Sequence, residues 1–192
     1  MPRPAKVLAP ADVRRLLKHV DRQRYPQRNR VMILLSFKAG LRACEMSGLQ
    51  WPMILGPTGK VGASIEVADF IAKKGSGRRI PLHPELASAL VTLHLLEGRP
   101  AVGPVLRSER SGKLTARSVV NWFAATYAEL NLAGCSSHSG RRTFITQAAR
   151  VIARTGGSLR DIQELAGHRS ITTTERYIEG DRDAQRRLIK LL

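Results

Sequence analysis

The polar stretch LAGHRSITTTERYI places His168 and Tyr177 nine residues apart, in a chain with only three tyrosines and five histidines. Two arginine-centred clusters precede it. In AGLRACEM, Arg42 follows a glycine at an expected helix start, and Glu45 lies three residues on, on the same helical face. In HSGRRTF, His138 and Arg141 share that spacing near an expected helix N-terminus, where unpaired backbone N–H groups and the helix dipole favour a bound phosphate. Between them, AKKGSGRRIPL sets Lys73 and Lys74 at the tip of a hairpin. Singly, each has an ordinary structural explanation: a surface ion pair, a solvated lysine, a histidine on the last carbonyls of a helix, a tyrosine packed at a helix edge. Their order along the chain is the informative feature.

The charge balance agrees with phosphate chemistry. Lys and Arg number 32 against 15 Asp and Glu, a formal net charge of +17, which points to a polyanion and first to nucleic acid. An anionic membrane surface is the weaker alternative, because no basic amphipathic helix with bulky aromatics is present. The two cysteines, Cys44 and Cys135, suggest neither a disulfide framework nor a zinc site. No apolar run nears the roughly 18 residues of a membrane span and no signal-peptide pattern opens the chain, so the expected location is cytoplasmic.

Taken in order, GLRACE, KKGSGRRIPL, HSGRRTF and LAGHRSITTTERYI resemble the tyrosine recombinase (phage integrase) family across its whole catalytic domain. The resemblance implies that Arg42 is the first arginine, Glu45 its supporting acid, and His138 and Arg141 the His-x-x-Arg pair. It implies that His168 is the phosphate-binding site ahead of the nucleophile, and that Tyr177 is the nucleophile. Counting back from Pro81 gives Lys73 as the hairpin lysine, with Lys74 as the alternative. The family box often reads His-x-Leu-Arg-His; here it is His138-Ser139-Gly140-Arg141-Arg142, so Gly140 is expected to forgo an apolar packing contact.

The implied reaction needs no metal, ATP or other cofactor. A tyrosine hydroxyl attacks a DNA phosphate to give a 3′-phosphotyrosine and a free 5′-hydroxyl, and covalent catalysis splits the hard step in two. Charge growing on the non-bridging oxygens would be met by the planar forks of Arg42 and Arg141, with a further hydrogen bond from His168. A hairpin lysine would protonate the leaving oxygen. His138 would help remove the tyrosine proton, since a phenol with pKa near 10 is a weak nucleophile at neutral pH. The partners implied are double-stranded DNA and a homo-tetramer assembled on it, with accessory DNA-bending proteins as further candidates. Two rivals remain: a type IB topoisomerase-like relaxing enzyme, and a DNA-binding module without activity.

The elements that must position these residues can be read from periodicity. PADVRRLLKHV spaces Val13, Leu16, Leu17 and Val20 as a helix, and NRVMILLSFKAG is apolar nearly all round, a buried helix stopping near Gly40. From Trp51 to Leu82, MILGPTGKVGASIEV and RRIPL read as short strands joined by Gly-rich turns, an expected sheet of three strands. Helices follow in PELASALVTLHLLEG, TARSVVNWFAATYAEL and HSGRRTFITQAARVIART. SLRDIQELAG carries its own stop signals, with Ser158 at the N-cap, Asp161 three residues on and Gly167 at the end. The expected fold is mainly α with a small antiparallel β-sheet (α+β), like a tyrosine recombinase catalytic domain. The expected division is a basic tail over residues 1–8 and one catalytic domain over 9–192, with no separate N-terminal core-binding domain. That size resembles the fimbrial DNA invertases, and an excised domain is the alternative. The terminal EGDRDAQRRLIKLL ends in four aliphatic residues that need an apolar pocket, on their own core or on a neighbouring subunit.

Overall fold

The apolar stretch around residue 33 becomes the central element of the molecule. In the computed structural model, which describes residues 5–72, 75–109, 112–177 and 189, helix α2 (Pro26–Lys38) is buried from Val31 to Phe37 without a break. It opens with a proline in its first turn, where a missing N–H costs nothing. Around it lie α1 (Pro10–Val20), α4 (Pro84–Leu96) and α6 (Ser139–Val151). The short α3 (Ala43–Gly48) packs on α5 (Ala116–Glu129). This main core includes Leu34, Leu35, Leu41, Met46, Trp51 and Phe123, all fully buried. Each such aliphatic or aromatic side chain contributes about 1.5–3 kcal/mol relative to exposure. Leu8 belongs to the same core, and its amide donates to Thr143 Oγ1 at 2.9 Å, which ties the start of the chain to α6.

The sheet is smaller than the sequence suggests. Among the described residues it has two antiparallel strands, β1 (Ser64–Val67) and β2 (Arg78–Pro81), with Ile65 opposite Ile80. The expected third strand is reduced to one isolated bridge between Leu55 and Val61. Gly56 N–H donates to Lys60 O and Gly62 N–H to Ile54 O, so the glycine turn folds back at once and leaves no length for a ladder.

After α6 the chain makes a 3-10 turn (Ile152–Thr155), then α7 (Leu159–Ala166) and the five-residue α8 (Ile171–Glu175). Helix α7 starts and stops as its sequence dictates. Ser158 and Asp161 form a reciprocal capping box, and Gly167 ends the helix in the left-handed conformation at φ 60°. These elements rest on a second cluster, in which Ile145, Ile162 and Ala166 are fully buried and Phe144, Ala148 and Tyr177 are partly so. Among the described residues no helix is long and apolar enough to cross a membrane. Lys73 and Lys74 lie outside the described residues, as does the C-terminal tail except for the exposed Ile189.

Candidate functional site

The C-terminal end of α7 organises the site. A helix end leaves its last carbonyls without intrahelical donors, with the negative pole of the dipole directed outward. Here three successive carbonyls receive one arginine each. Arg78 Nε donates to Leu165 O at 2.8 Å, Arg141 Nη2 to Ala166 O, and Arg42 Nη2 to Gly167 O at 3.5 Å. The arginines come from three different places. Arg42 is the N-cap of α3, Arg78 opens β2, and Arg141 is in the first turn of α6.

Glu45 holds these cations together. Its side chain is fully buried, and it accepts from the Arg42 amide at 2.9 Å, from Arg42 Nη1 at 2.7 Å, and from both Arg78 Nη atoms at 3.0 Å each. Burial raises its pKa, but hydrogen bonds and charge from Arg78, then Arg42, outweigh that and hold it below the usual carboxylate range. Arg141 is buried, and Nη1 donates to Gly40 O at 2.7 Å. Burial, and then the nearby Arg42, bring its pKa down to about 10, so it stays cationic at neutral pH. The two carbonyl bonds use two of its five N–H groups.

Glycines shape the approach of these elements. Gly40, at φ 62°, would drive a Cβ to 2.5 Å from the Phe144 ring. Gly140 corrects an expectation. A Cβ there would meet Ser36 Oγ at 2.1 Å and Ser36 Cβ at 2.8 Å, so no space for an apolar side chain is lost. Helix α2 already fills it, and the close α2–α6 approach sets Arg141 beside Gly40.

His168 follows directly on the α7 cap. Its Nδ1 lies 2.9 Å from Oγ1 of Thr174, which is fully buried in α8. The ring stacks on Tyr177 with centroids 5.7 Å apart and planes 22° apart. Burial, then the charges of Arg141, Arg42 and Arg78, lower the His168 pKa to about 4. The imidazole is therefore neutral at pH 7, with one ring nitrogen donating and the other accepting. Tyr177 is half-buried, its ring rests on the Ile145–Ile162–Ala166 cluster, and the Arg142 guanidinium carbon lies 5.8 Å from its centroid.

Arg42, Arg141, His168 and Tyr177 thus converge. His138 sits at the N-cap of α6, exposed, one turn before Arg141. Two residues escaped sequence reasoning, Arg78 and Thr174. Arg78 had a detectable signal. It shares a strand face with the buried Ile80 two residues on, and a cation on an inward face needs a carboxylate. Thr174 had none beyond its place in a threonine run.

The family model described as the phage integrase family matches residues 6–183. Tyrosine recombinase XerC of Pelobacter propionicus is 29% identical over 159 residues, covering 82% of this chain and 49% of the relative. XerC of Nitrobacter winogradskyi is 31% identical over 156 residues, covering 78% and 45%. The chain therefore spans about half the length of these curated relatives. Among solved structures, the Tn1549 transposon integrase in complex with a circular intermediate DNA superposes with a TM-score of 0.77 at 20% identity, over 99% of this chain and 67% of that one.

Proposed function

The chain belongs to the phage integrase family, and on that premise we propose that it is a tyrosine-type site-specific recombinase that cleaves and rejoins double-stranded DNA through a 3′-phosphotyrosine. The observation that carries this reading is the convergence of Arg42, Arg141, His168 and Tyr177 at the end of α7.

The arrangement of the arginines, His168 and Tyr177 supports a division of labour. The remaining N–H groups of Arg42 and Arg141 bind the two non-bridging oxygens of the scissile phosphate and gain strength as charge develops there. Neutral His168 adds one donor without adding charge. If Thr174 Oγ1–H donates to Nδ1, the ring proton sits on Nε2. Tyr177 Oη attacks phosphorus, the 5′-oxygen leaves, and one phosphodiester is exchanged for another, so religation needs no external energy. His138 is the candidate to accept the tyrosine proton, and Lys73, or its neighbour Lys74, to protonate the leaving oxygen. Exchange between two duplexes needs four active sites, so the working assembly is a homo-tetramer on DNA. Accessory DNA-bending proteins are candidates to set its direction.

The test is covalent trapping on a nicked DNA substrate, with Tyr177→Phe as the control. The wild-type chain should give an SDS-stable DNA adduct, and Tyr177→Phe should give none while DNA affinity changes less than about two-fold, because only a hydroxyl is lost. An adduct that persists in Tyr177→Phe would move the nucleophile to Tyr25 or Tyr127. An active enzyme that relaxes supercoils but never joins two sites would favour the topoisomerase-like alternative.

A further inference from the structure

Arg78 has no part in the chemistry just described, yet its side chain is only 6% exposed and all three guanidinium nitrogens donate hydrogen bonds. The fork takes both oxygens of Glu45 at 3.0 Å each, and Nε takes Leu165 O at 2.8 Å. One buried carboxylate thus stands between two arginines, with Arg141 as a third positive charge, near enough for Arg42 and Arg78 to act on it and for it to act on His168. Without Arg78, Arg42 and Glu45 would form a one-to-one pair, and a phosphate would have to compete with Glu45 for the Arg42 fork. With Arg78 in place the carboxylate is satisfied twice over.

We propose that Arg78 is a positioning residue for phosphodiester cleavage that takes up the charge of Glu45, so that Arg42 faces the scissile phosphate with its positive charge uncancelled. The inference rests on the recombinase reading above. The competing role is mechanical. Arg78 also pins α7 through Leu165 O, and a Cβ at Gly167 would lie 2.9 Å from its Nη1. The two roles predict opposite signs for one double variant. The cluster of Arg42, Glu45, Arg78 and Arg141 carries a net charge of +2. Arg78→Gln lowers that by one, and adding Glu45→Gln restores it. If charge is what matters, the second change should repair the first; if anchoring is what matters, it should compound the damage.

The experiment measures single-turnover cleavage by the full chain on two DNA substrates, one with the natural scissile phosphodiester and one with a neutral methylphosphonate in its place. A unit charge roughly 8 Å away, through an effective dielectric of about 20, changes a rate by about 30-fold. Arg78→Gln should slow phosphodiester cleavage by about that factor and methylphosphonate cleavage far less. Arg78→Gln/Glu45→Gln should recover most of the loss, and Arg78→Lys should keep the wild-type ratio between substrates. Equal slowing on both substrates, or a double variant slower than either single one, overturns the proposal. Should Arg78→Gln fail to fold, Glu45→Gln alone decides. A higher phosphodiester-to-methylphosphonate ratio than wild type supports the proposal, and a lower one overturns it. A wild-type chain that binds DNA but never cleaves it would sink the recombinase reading itself, whereas these outcomes in an active wild type bear on Arg78 alone.

Discussion

Arg42 and Glu45 rise from a core that holds Leu34, Leu35, Leu41, Met46, Trp51 and Phe123, whereas Tyr177 rests on a cluster with three fully buried members, Ile145, Ile162 and Ala166. The first region is continuous around α2 and collects side chains from residues 8 to 132 of the chain. The second is built by α6, α7 and Tyr177, and it joins the first where α6 packs on α2 and Leu165 meets the main core, and through a set of arginine bridges. Arg141 bridges Gly40 O on one side and Ala166 O on the other, while Arg42 and Arg78 reach across to Gly167 O and Leu165 O. Arg42 therefore stands on the larger core and Tyr177 on the smaller cluster, with Arg141, on α6, between them. That asymmetry suits the proposed reaction, in which a phosphate is held still while a covalent bond to Tyr177 is made and released. Low local stability is a usual property of elements that move.

The strongest test contrasts the two regions directly. Leu34→Ala should destabilise the whole chain by about 2–5 kcal/mol, since it opens a cavity at the centre of α2. Ile162→Ala removes a similar side chain, but its effect should stay local, with amide hydrogen exchange accelerating in α7 and α8 while α2 keeps its protection. If Ile162→Ala loosens α2 as much as α7, the two regions are one cooperative unit and the comparison fails.

Arg141→Ala probes the polar bridge between them. Losing one preorganised donor typically costs on the order of 10²- to 10³-fold in rate, and a drop of that size is expected in single-turnover DNA cleavage. DNA affinity should fall far less, because one charge is a small share of a net +17. Equal losses in the two measurements would reduce Arg141 to a general phosphate contact.

What the sequence made legible divides along the same line. The α7 boundaries could be read from Ser158, Asp161 and Gly167 because capping is local chemistry, and the buried α2 from its unbroken apolar run. The convergence of Arg42, Arg141, His168 and Tyr177 was expected from order and spacing, through resemblance to a family. Long-range packing was not legible. The third strand failed because a tight glycine turn allows one bridge and no more. Gly140 reads in the sequence as a missing contact, because nothing in HSGRRTF shows that Ser36, some hundred residues earlier, lies against it. Arg78 lay hidden in RRIPL because its partner, Glu45, comes from another element. The Gly140 contact gives a smaller test of how tightly α6 is seated on the main core. Gly140→Ala should cost about 1–3 kcal/mol by overpacking, read from the urea midpoint. Ser36→Ala in the same chain should return part of it, since the nearest atom, Ser36 Oγ at 2.1 Å, is removed while Ser36 Cβ and the Phe37 ring at 3.0 Å remain. A Gly140→Ala chain as stable as wild type would mean that α6 shifts freely on α2.

The smallest expected effect is a pH dependence confined to the lighter region. Burial and three arginines hold the His168 pKa at about 4, below the ordinary histidine value of 6.5. The unfolded chain therefore binds this proton more readily than the folded one, and stability must rise with pH between the two values. Stated the other way, the contribution is fully present above about pH 6.5 and is lost as pH falls through about 4. Because His168 is tied to Thr174 and Tyr177, the loss should appear first as faster amide exchange in α7 and α8, with α2 unaffected. Cleavage should not decline through His168 between pH 7 and roughly 5.5, because the imidazole remains neutral across that window. Histidine carbon-proton resonances followed by NMR from pH 7 to 4 would settle the sign. A midpoint near 6.5 for His168 would mean that the arginines do not share its environment, and that the α7 end is open to solvent rather than closed by them.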